Sequence, residues 1–284
     1  MLIQWYPGHM NKALKQMQKD VKIVDAIIYV LDARAPLSCL NPKFQSIIGN
    51  KPVLFVLNKC DLSDTNKLQQ IQNKLTKNNN QCIYLDSTVS NSSKLIAEKI
   101  EQMLKEKIDR NEAKGIVIPM RAMIIGVPNS GKSTIANNLC GNKRAVTGDK
   151  PGVTKSNQWI KISKYLEILD TPGTLWPSFE NQNVAKQLAY IGSIKDDIID
   201  IEELALEFII DMIHQDFSIL KNRYNLIDED KDLQPIEIYE KICLNRKFIL
   251  KGNEIDYSRG AKAILDDYRK GRMGNFMLNT VQNV

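Results

Sequence analysis

The stretch FVLNKCDLS, Phe55–Ser63, ends an apolar run on Asn58-Lys59-Cys60-Asp61, and a second stretch, GVPNSGKST, Gly126–Thr134, follows well downstream. The first carries the pattern N-K-x-D, and the second fits G-x-x-x-x-G-K-S, the pattern of a phosphate-binding loop. A carboxylate such as Asp61 can accept both the N1–H and N2–H₂ of guanine, a donor pair that adenine lacks. The order of the two segments decides the fold, because the base-reading segment comes before the phosphate-holding one.

Gly126–Thr134 sits between an apolar run, MRAMIIG (Met120–Gly126), and a helical pattern over Lys132–Cys140. Strand, glycine-rich loop and helix in that order let backbone N–H groups close around phosphate oxygens at a helix N-terminus. Asn129, Ser130, Gly131, Lys132, Ser133 and Thr134 are therefore expected at the phosphates, with Lys132 on the β- and γ-oxygens and Ser133 on Mg²⁺. Downstream, DTPG (Asp170–Gly173) ends an apolar run. Its Asp170 carboxylate is placed to hold a Mg²⁺-bound water, and the Gly173 N–H to bind the γ-phosphate. Between them, KPGVTK offers the Thr154 hydroxyl to complete the Mg²⁺ shell.

On the base side, Lys59 is expected to lay its methylene stem along guanine, and Asn58 to bind nearby polar atoms. Rejecting adenine would leave Asp61 unpartnered, which supplies selectivity. The segment LDSTVS follows the next strand, adding Asp86, Ser87 and Thr88, the last two on the guanine O6 side.

Buried strands are expected at Val24–Ala33, Pro52–Asn58, Gln81–Leu85 and Met120–Gly126, with helices at Asn41–Ile48, Asp64–Thr76 and Ser92–Ile108 between them. NQWIKI and YLEILD form a hairpin pattern around Ser163-Lys164. Near-continuously apolar strands alternating with helices predict an α/β domain with a mainly parallel sheet covered on both faces. Beyond about Pro177 the pattern becomes helical. Ile198, Ile201, Leu204, Ala205, Phe208, Ile209 and Met212 share one helix face, and PIEIYEKICLNRKF and SRGAKAILDDYRKGRMGNF give further helices. The expected division is residues 1–177, a nucleotide-binding α/β domain, and residues 178–284, a small all-α domain.

Taken cyclically from Gly126 through Gly173 and then back to residues 24–90, the motifs fall in the usual order of a GTPase. The chain therefore looks circularly permuted, cut after DTPG, with the former ends joined through Ser92–Arg121. Surface termini tolerate such rearrangement, and its consequence is that the γ-phosphate-sensing segment runs straight through TLWPSFE into the helices.

Net charge is +6. Residues 1–177 carry 25 Lys and Arg against 14 Asp and Glu (+11), residues 178–240 carry 5 against 15 (−10), and residues 241–284 carry 9 against 4 (+5). Separate surfaces for separate partners, one of them nucleic acid, fit this distribution; so do ordinary solvated faces. Lys12, Lys15, Lys19 and Lys22 line a helix opposite Met10, Leu14, Met17 and Val21, as an RNA contact or a solvated face. Five scattered cysteines fit a reduced compartment and no zinc site. No apolar run approaches the roughly 18 residues that span a bilayer, and MLIQWYPGHMNKA lacks a signal peptide's apolar core. A cytoplasmic monomer with no membrane partner is the expectation.

The motifs IQWYPGHMNKA, LDARAPLS, NKCDL, GVPNSGKST, KPGVTK and DTPGTLWP, in that order, resemble the ribosome biogenesis GTPase A family of circularly permuted GTPases. The helical part matches best near YRKGRMGNF. The resemblance implies GTP hydrolysis coupled to late assembly of the large (50S) ribosomal subunit, with rRNA and ribosomal proteins as partners and the helices contacting rRNA. It also implies stimulation by the subunit and by K⁺, with Asn129 as the K⁺ ligand. Where many GTPases orient water with Gln, this chain has Thr174, and the family usually has an apolar residue there. The resemblance assigns that task to His9, which alternatively pins the N-terminal segment. His214, in an apolar helix, is expected to be structural. Two other classes fit parts of the pattern: a GTP-gated adaptor for protein or membrane partners, and a P-loop kinase or ATPase acting on a small molecule.

Overall fold

A computed structural model describes residues 2–4, 7–140, 158–176 and 179–278. In chain order its elements are α1 (Gly8–Asp20), β1 (Ala26–Asp32), α2 (Pro42–Ile48), β2 (Val53–Asn58), α3 (Thr65–Leu75), β3 (Gln81–Leu85), α4 (Lys94–Met103), α5 (Lys105–Glu112) and β4 (Met120–Ile125). They continue with α6 (Lys132–Cys140), β5 (Gln158–Lys161), β6 (Leu166–Asp170), α7 (Gln182–Tyr190), α8 (Ile201–Asp216), α9 (Ser218–Tyr224), α10 (Pro235–Asn245) and α11 (Tyr257–Arg269).

Six strands form one sheet in the order β3-β2-β1-β4-β6-β5, and only β5 runs antiparallel to its neighbour. Chain order and spatial order agree with a permuted arrangement. The phosphate-loop strand β4 lies at the centre, although three strands precede it in the chain. Register sets the carboxyl ends in a row: Asp32 opposite Asn58, Asn58 opposite Leu85, and Asp170 opposite Ile124. In open parallel sheets that edge is where nucleotides bind.

Alternation along the strands separates two cores. Ile28 and Val30 of β1, with Leu54 and Val56 of β2, face Ile96 and Ile100 of α4 and Ile135 of α6. Ile27, Tyr29 and Leu31 face the other way, toward Met10, Leu14 and Met17 of α1 and Phe44 of α2. Each side chain so buried stabilises the fold by about 1.5–3 kcal/mol. The second core continues into Leu188, Phe208, Ile242 and Ile264, so the C-terminal helices share apolar packing with the sheet. Side-chain caps start several helices: Asn41 accepts from Lys43 N, Asp64 from Lys67 N, Asp200 from Glu202 N and Glu203 N, and Asp256 from Arg259 N.

Four expectations change. The helix foreseen over Ser92–Ile108 is two, α4 and α5, meeting at Leu104 with φ −103° and ψ 8°; apolar spacing continued through the bend and concealed it. Ile198 lies in a short 3₁₀ turn before α8 and is 48% exposed, so it is not part of that helix's buried stripe. His214 is exposed on α8, while Leu204, Ala205, Phe208, Ile209 and Met212 are buried, so it is no core residue. Helices α7 and α9 were not foreseen. The proposed boundary at Pro177–Ser178 lies outside the described residues.

Candidate nucleotide site

The base-reading and phosphate-holding segments converge through Asn58. Its amide nitrogen donates to the Ser130 carbonyl at 2.8 Å, and its carbonyl oxygen accepts from Ser87 N at 3.0 Å. Asn58 and Ser130 are fully buried, and Ser87 nearly so. One side chain therefore ties the N-K-x-D loop, the Asp86–Thr88 loop and the phosphate loop together. Asn138 of α6 adds a further tie by donating to the Ser87 carbonyl.

Lys59 stands in the left-handed region at φ 62°, where non-glycine residues are uncommon. Its Nζ donates to Asp32 Oδ2 at 2.9 Å and to the Asn129 carbonyl at 2.8 Å. Asp61, two residues on, is exposed at the sheet edge. Its carboxyl titrates above the ordinary range through partial burial and the nearby Asp86 charge. Asp86 accepts from Thr88 N at 2.7 Å and from the Thr88 hydroxyl, shaping that loop, while Cys60 is half-buried.

In the phosphate loop, Lys132 is buried and its Nζ donates to the Val127 carbonyl at 2.7 Å. Burial lowers its pKa to about 8, opposed by the Asp170 charge. Ser133 Oγ lies 3.4 Å from Asp170 Oδ2. Asp170 is pushed up to about 6 by burial, with Lys132 pulling the other way, and its Oδ1 has no partner among the described residues. An orphaned, buried carboxylate oxygen beside a serine hydroxyl is the donor set that suits Mg²⁺, which binds one or two such protein groups and completes its shell with phosphate and water. Among the described residues no cluster of three or more His, Cys, Asp or Glu offers a metal cage, and Mg²⁺ held with phosphates requires none. Thr154, the other expected Mg²⁺ residue, lies outside the described residues.

The DTPG segment lies against the loop. A Cβ on Gly173 would stand 2.7 Å from Pro128 Cα and 2.9 Å from Lys132 Nζ, so only glycine fits. Thr174 N donates to the Gly126 carbonyl at 3.2 Å, and the Thr174 hydroxyl is buried with no partner among the described residues. Thr134 is half-buried in the first turn of α6.

His9 is exposed in the first turn of α1, and among the described residues it shows no hydrogen bond to the site. The N-terminal segment is anchored elsewhere, by Ile3 N donating to Gln182 Oε1 at 2.8 Å.

Several site-supporting residues escaped the sequence reading. Asp32 and Arg34 form a buried bidentate pair at 2.8 and 2.7 Å. Burial alone would raise the Asp32 carboxyl, but the Arg34 and Lys59 charges outweigh it and hold it well below the ordinary range. Two opposite charges at the carboxyl end of an apolar strand were the available signal. Gly192 and Ser193, which bond the loop from beyond α7, and Arg269, which bonds the end of α7 behind them, gave a weaker one: a glycine after a helical pattern.

Residues 121–246 match the family described as 50S ribosome-binding GTPase. A relative called Ribosome biogenesis GTPase A, from Bacillus cereus, is 40% identical over 99% of this chain and 94% of its own length. Mitochondrial ribosome-associated GTPase 1 of Mus musculus is 31% identical over 97% of this chain and 90% of its own. The solved GNP-bound YlqF from T. maritima matches with a TM-score of 0.65 at 23% identity, over 96% of this chain and all of that one.

Proposed function

As a member of the ribosome biogenesis GTPase A family this chain is a GTPase of ribosome assembly, and we propose that it acts on the large subunit, docking in its GTP-bound form and leaving after hydrolysis. Asn58 carries the nucleotide half of this reading, since it joins the base-reading loops to the phosphate loop with two hydrogen bonds. Asp61 accepts from guanine, Lys59 flanks the base, Ser87 and Thr88 approach O6, and Lys132 neutralises the β- and γ-oxygens. Ser133, Asp170 and Thr154 would hold Mg²⁺, which would offset charge developing on the phosphates. Asn129 is the candidate K⁺ ligand, its amide turned by donation to the Gly192 carbonyl at 2.8 Å.

Hydrolysis breaks the bond between the γ-phosphorus and the β–γ bridging oxygen as water adds to phosphorus, giving GDP and phosphate. No glutamine follows DTPG to orient that water, and His9, exposed and free to be repositioned by the subunit, takes this role. The rRNA contact falls to the basic end of the chain, where Arg259, Lys262, Lys270 and Arg272 are exposed along and just beyond α11, while the acidic 178–240 segment faces away from RNA or meets protein.

Cosedimentation with large-subunit precursors tests the reading. Binding is expected with a non-hydrolysable GTP analogue and loss of binding with GDP; binding indifferent to nucleotide would reject it.

A further inference from the structure

We propose that Arg269, at the C-terminal end of α11, is a positioning residue for the nucleotide site, holding the phosphate-loop Asn129 and the guanine-loop Lys59 through two separate chains of hydrogen bonds. The inference rests on the reading that guanine nucleotide binds at this site.

The first chain begins at the guanidinium. Arg269 Nε donates to the Tyr190 carbonyl at 3.0 Å and Nη2 to the Ala189 carbonyl at 2.8 Å, while both terminal nitrogens meet Asp196 at 2.7 Å. These are the last carbonyls of α7, where the helix dipole is negative and a cation is favoured. Past them, α7 closes in a Schellman turn: Gly192 N donates to Ala189 O at 3.0 Å and Ser193 N to Leu188 O at 2.8 Å. Gly192 takes φ +77°, and a Cβ there would stand 3.4 Å from Arg269 Nε, so the turn lies flat on the guanidinium. The outer side of the same turn holds the phosphate loop. Gly192 O accepts from the Asn129 amide at 2.8 Å, and Ser193 Oγ donates to the Pro128 carbonyl at 2.8 Å.

The second chain begins at the Arg269 main-chain carbonyl, which accepts from Arg34 Nη1 at 2.9 Å. Arg34 grips Asp32, Asp32 accepts from Lys59, and Lys59 donates to the Asn129 carbonyl. Tyr268 lies under the Arg34 guanidinium at 5.4 Å, adding a cation–π contact from the same turn of α11. Both chains start at Arg269 and end at Asn129, one on its side chain and one on its main chain. The phosphate loop is thus completed by the C-terminal helices, and whatever displaces the end of α11 changes nucleotide affinity, with the reverse effect equal by linkage.

The test uses the full chain and a fluorescent GDP analogue. Arg269→Ala is expected to speed its release about tenfold, the scale of charge-assisted hydrogen bonds, and to shrink the gain in thermal stability on adding GDP. That gain compares folded protein with and without ligand, so it separates the site from a general loss of stability. Arg269→Lys, which keeps the charge but not the fork, covers the case in which the alanine variant fails to fold; it should fall between the two. Combined with Asn129→Ala, Arg269→Ala should add less than the product of the separate effects. Arg223→Ala, which breaks a different α11 ion pair (Arg223 Nε to Asp267 Oδ2, 2.8 Å), should leave release unchanged. Unchanged release in both Arg269 variants, or fully multiplying effects with Asn129→Ala, overturns the inference alone. Failure of the unmodified chain to bind any guanine nucleotide overturns the functional reading, and the inference with it.

Discussion

Lys59 Nζ donates to the main-chain carbonyl of Asn129 at 2.8 Å, joining residues 70 positions apart in the chain. The N-K-x-D loop therefore braces the glycine-rich loop directly, and does so from a strained left-handed backbone that its contacts must hold in place. Lys59→Met keeps the apolar stem and removes the ammonium. Affinity for GDP is expected to fall about tenfold, the scale of a charge-assisted hydrogen bond, with a smaller change in stability because Arg34 still pairs Asp32. Titration calorimetry beside urea unfolding checks both parts.

Asp170 gives the nucleotide-free protein a specific pH dependence. Burial lifts its carboxyl from 3.8 to about 6. Between those values the folded chain keeps a proton that the unfolded chain has released, so this group makes stability fall as pH rises from about 4 to about 6. Lys132 works at the other end of the scale. Burial lowers its amine from 10.5 to about 8, so between those values the unfolded chain holds the extra proton and stability rises with pH. Asp170→Asn is expected to flatten the acid-side slope in urea unfolding between pH 4 and 6, and to abolish Mg²⁺-dependent tightening of nucleotide binding. An unchanged slope would place the titration elsewhere.

How far the sequence carried the fold depends on the range of each interaction. Strands β1 to β4 were legible because Val, Ile and Leu fill both faces, and caps such as Asp64 sit beside the helices they start. Asp61, Lys132 and Asp170 were legible because each belongs to a short motif whose spacing the chemistry fixes. Leu104 was not, since a helix bend that leaves apolar spacing intact produces no local signal. Nor were Arg34 and Arg269, whose partners lie as far as 235 positions away, so that nothing near either residue announces the other. His214 was misjudged because an apolar neighbourhood in sequence does not say which way a helix turns its side chains.

Thr174 buries a hydroxyl that has no partner among the described residues. An unsatisfied buried hydroxyl costs about 1–3 kcal/mol, and Thr174→Val fills the same space without it. The valine variant should be more stable by about 1 kcal/mol, seen as a higher urea midpoint at unchanged m-value, with turnover unaltered. A fall in turnover at normal GTP affinity would instead mean that this hydroxyl turns toward the attacking water.

His9 is exposed in the first turn of α1, and replacing an exposed side chain away from caps and ion pairs usually changes stability by less than about 0.5 kcal/mol. His9→Ala is therefore expected to keep the urea midpoint and GTP affinity of the unmodified chain while losing most of the stimulation by large subunits, about 10²-fold for a group that positions the attacking water. Single-turnover hydrolysis with and without subunits separates the two. Stimulated turnover at the unmodified level would remove His9 from the mechanism.

In the proposed site Asp61 accepts from two guanine donors at once, and the exchange of one oxygen for an amide should change which base fits. In Asp61→Asn the side chain offers one donor and one acceptor. Guanine then sets its N2–H₂ against an N–H₂, whereas xanthine, with N1–H beside a C2 carbonyl, matches both groups. GDP affinity should fall about 10–100-fold, the range expected when charge-assisted hydrogen bonds are lost, while xanthosine diphosphate gains by a similar factor. The raised carboxyl of Asp61 adds a pH signature: a protonated acid cannot accept both bonds, so GDP binding by the unmodified chain weakens as pH falls through the titration of this group. The asparagine variant should not show that weakening with xanthosine diphosphate. Competition between the two nucleotides at several pH values measures both effects, and a variant that still preferred GDP would separate Asp61 from the base.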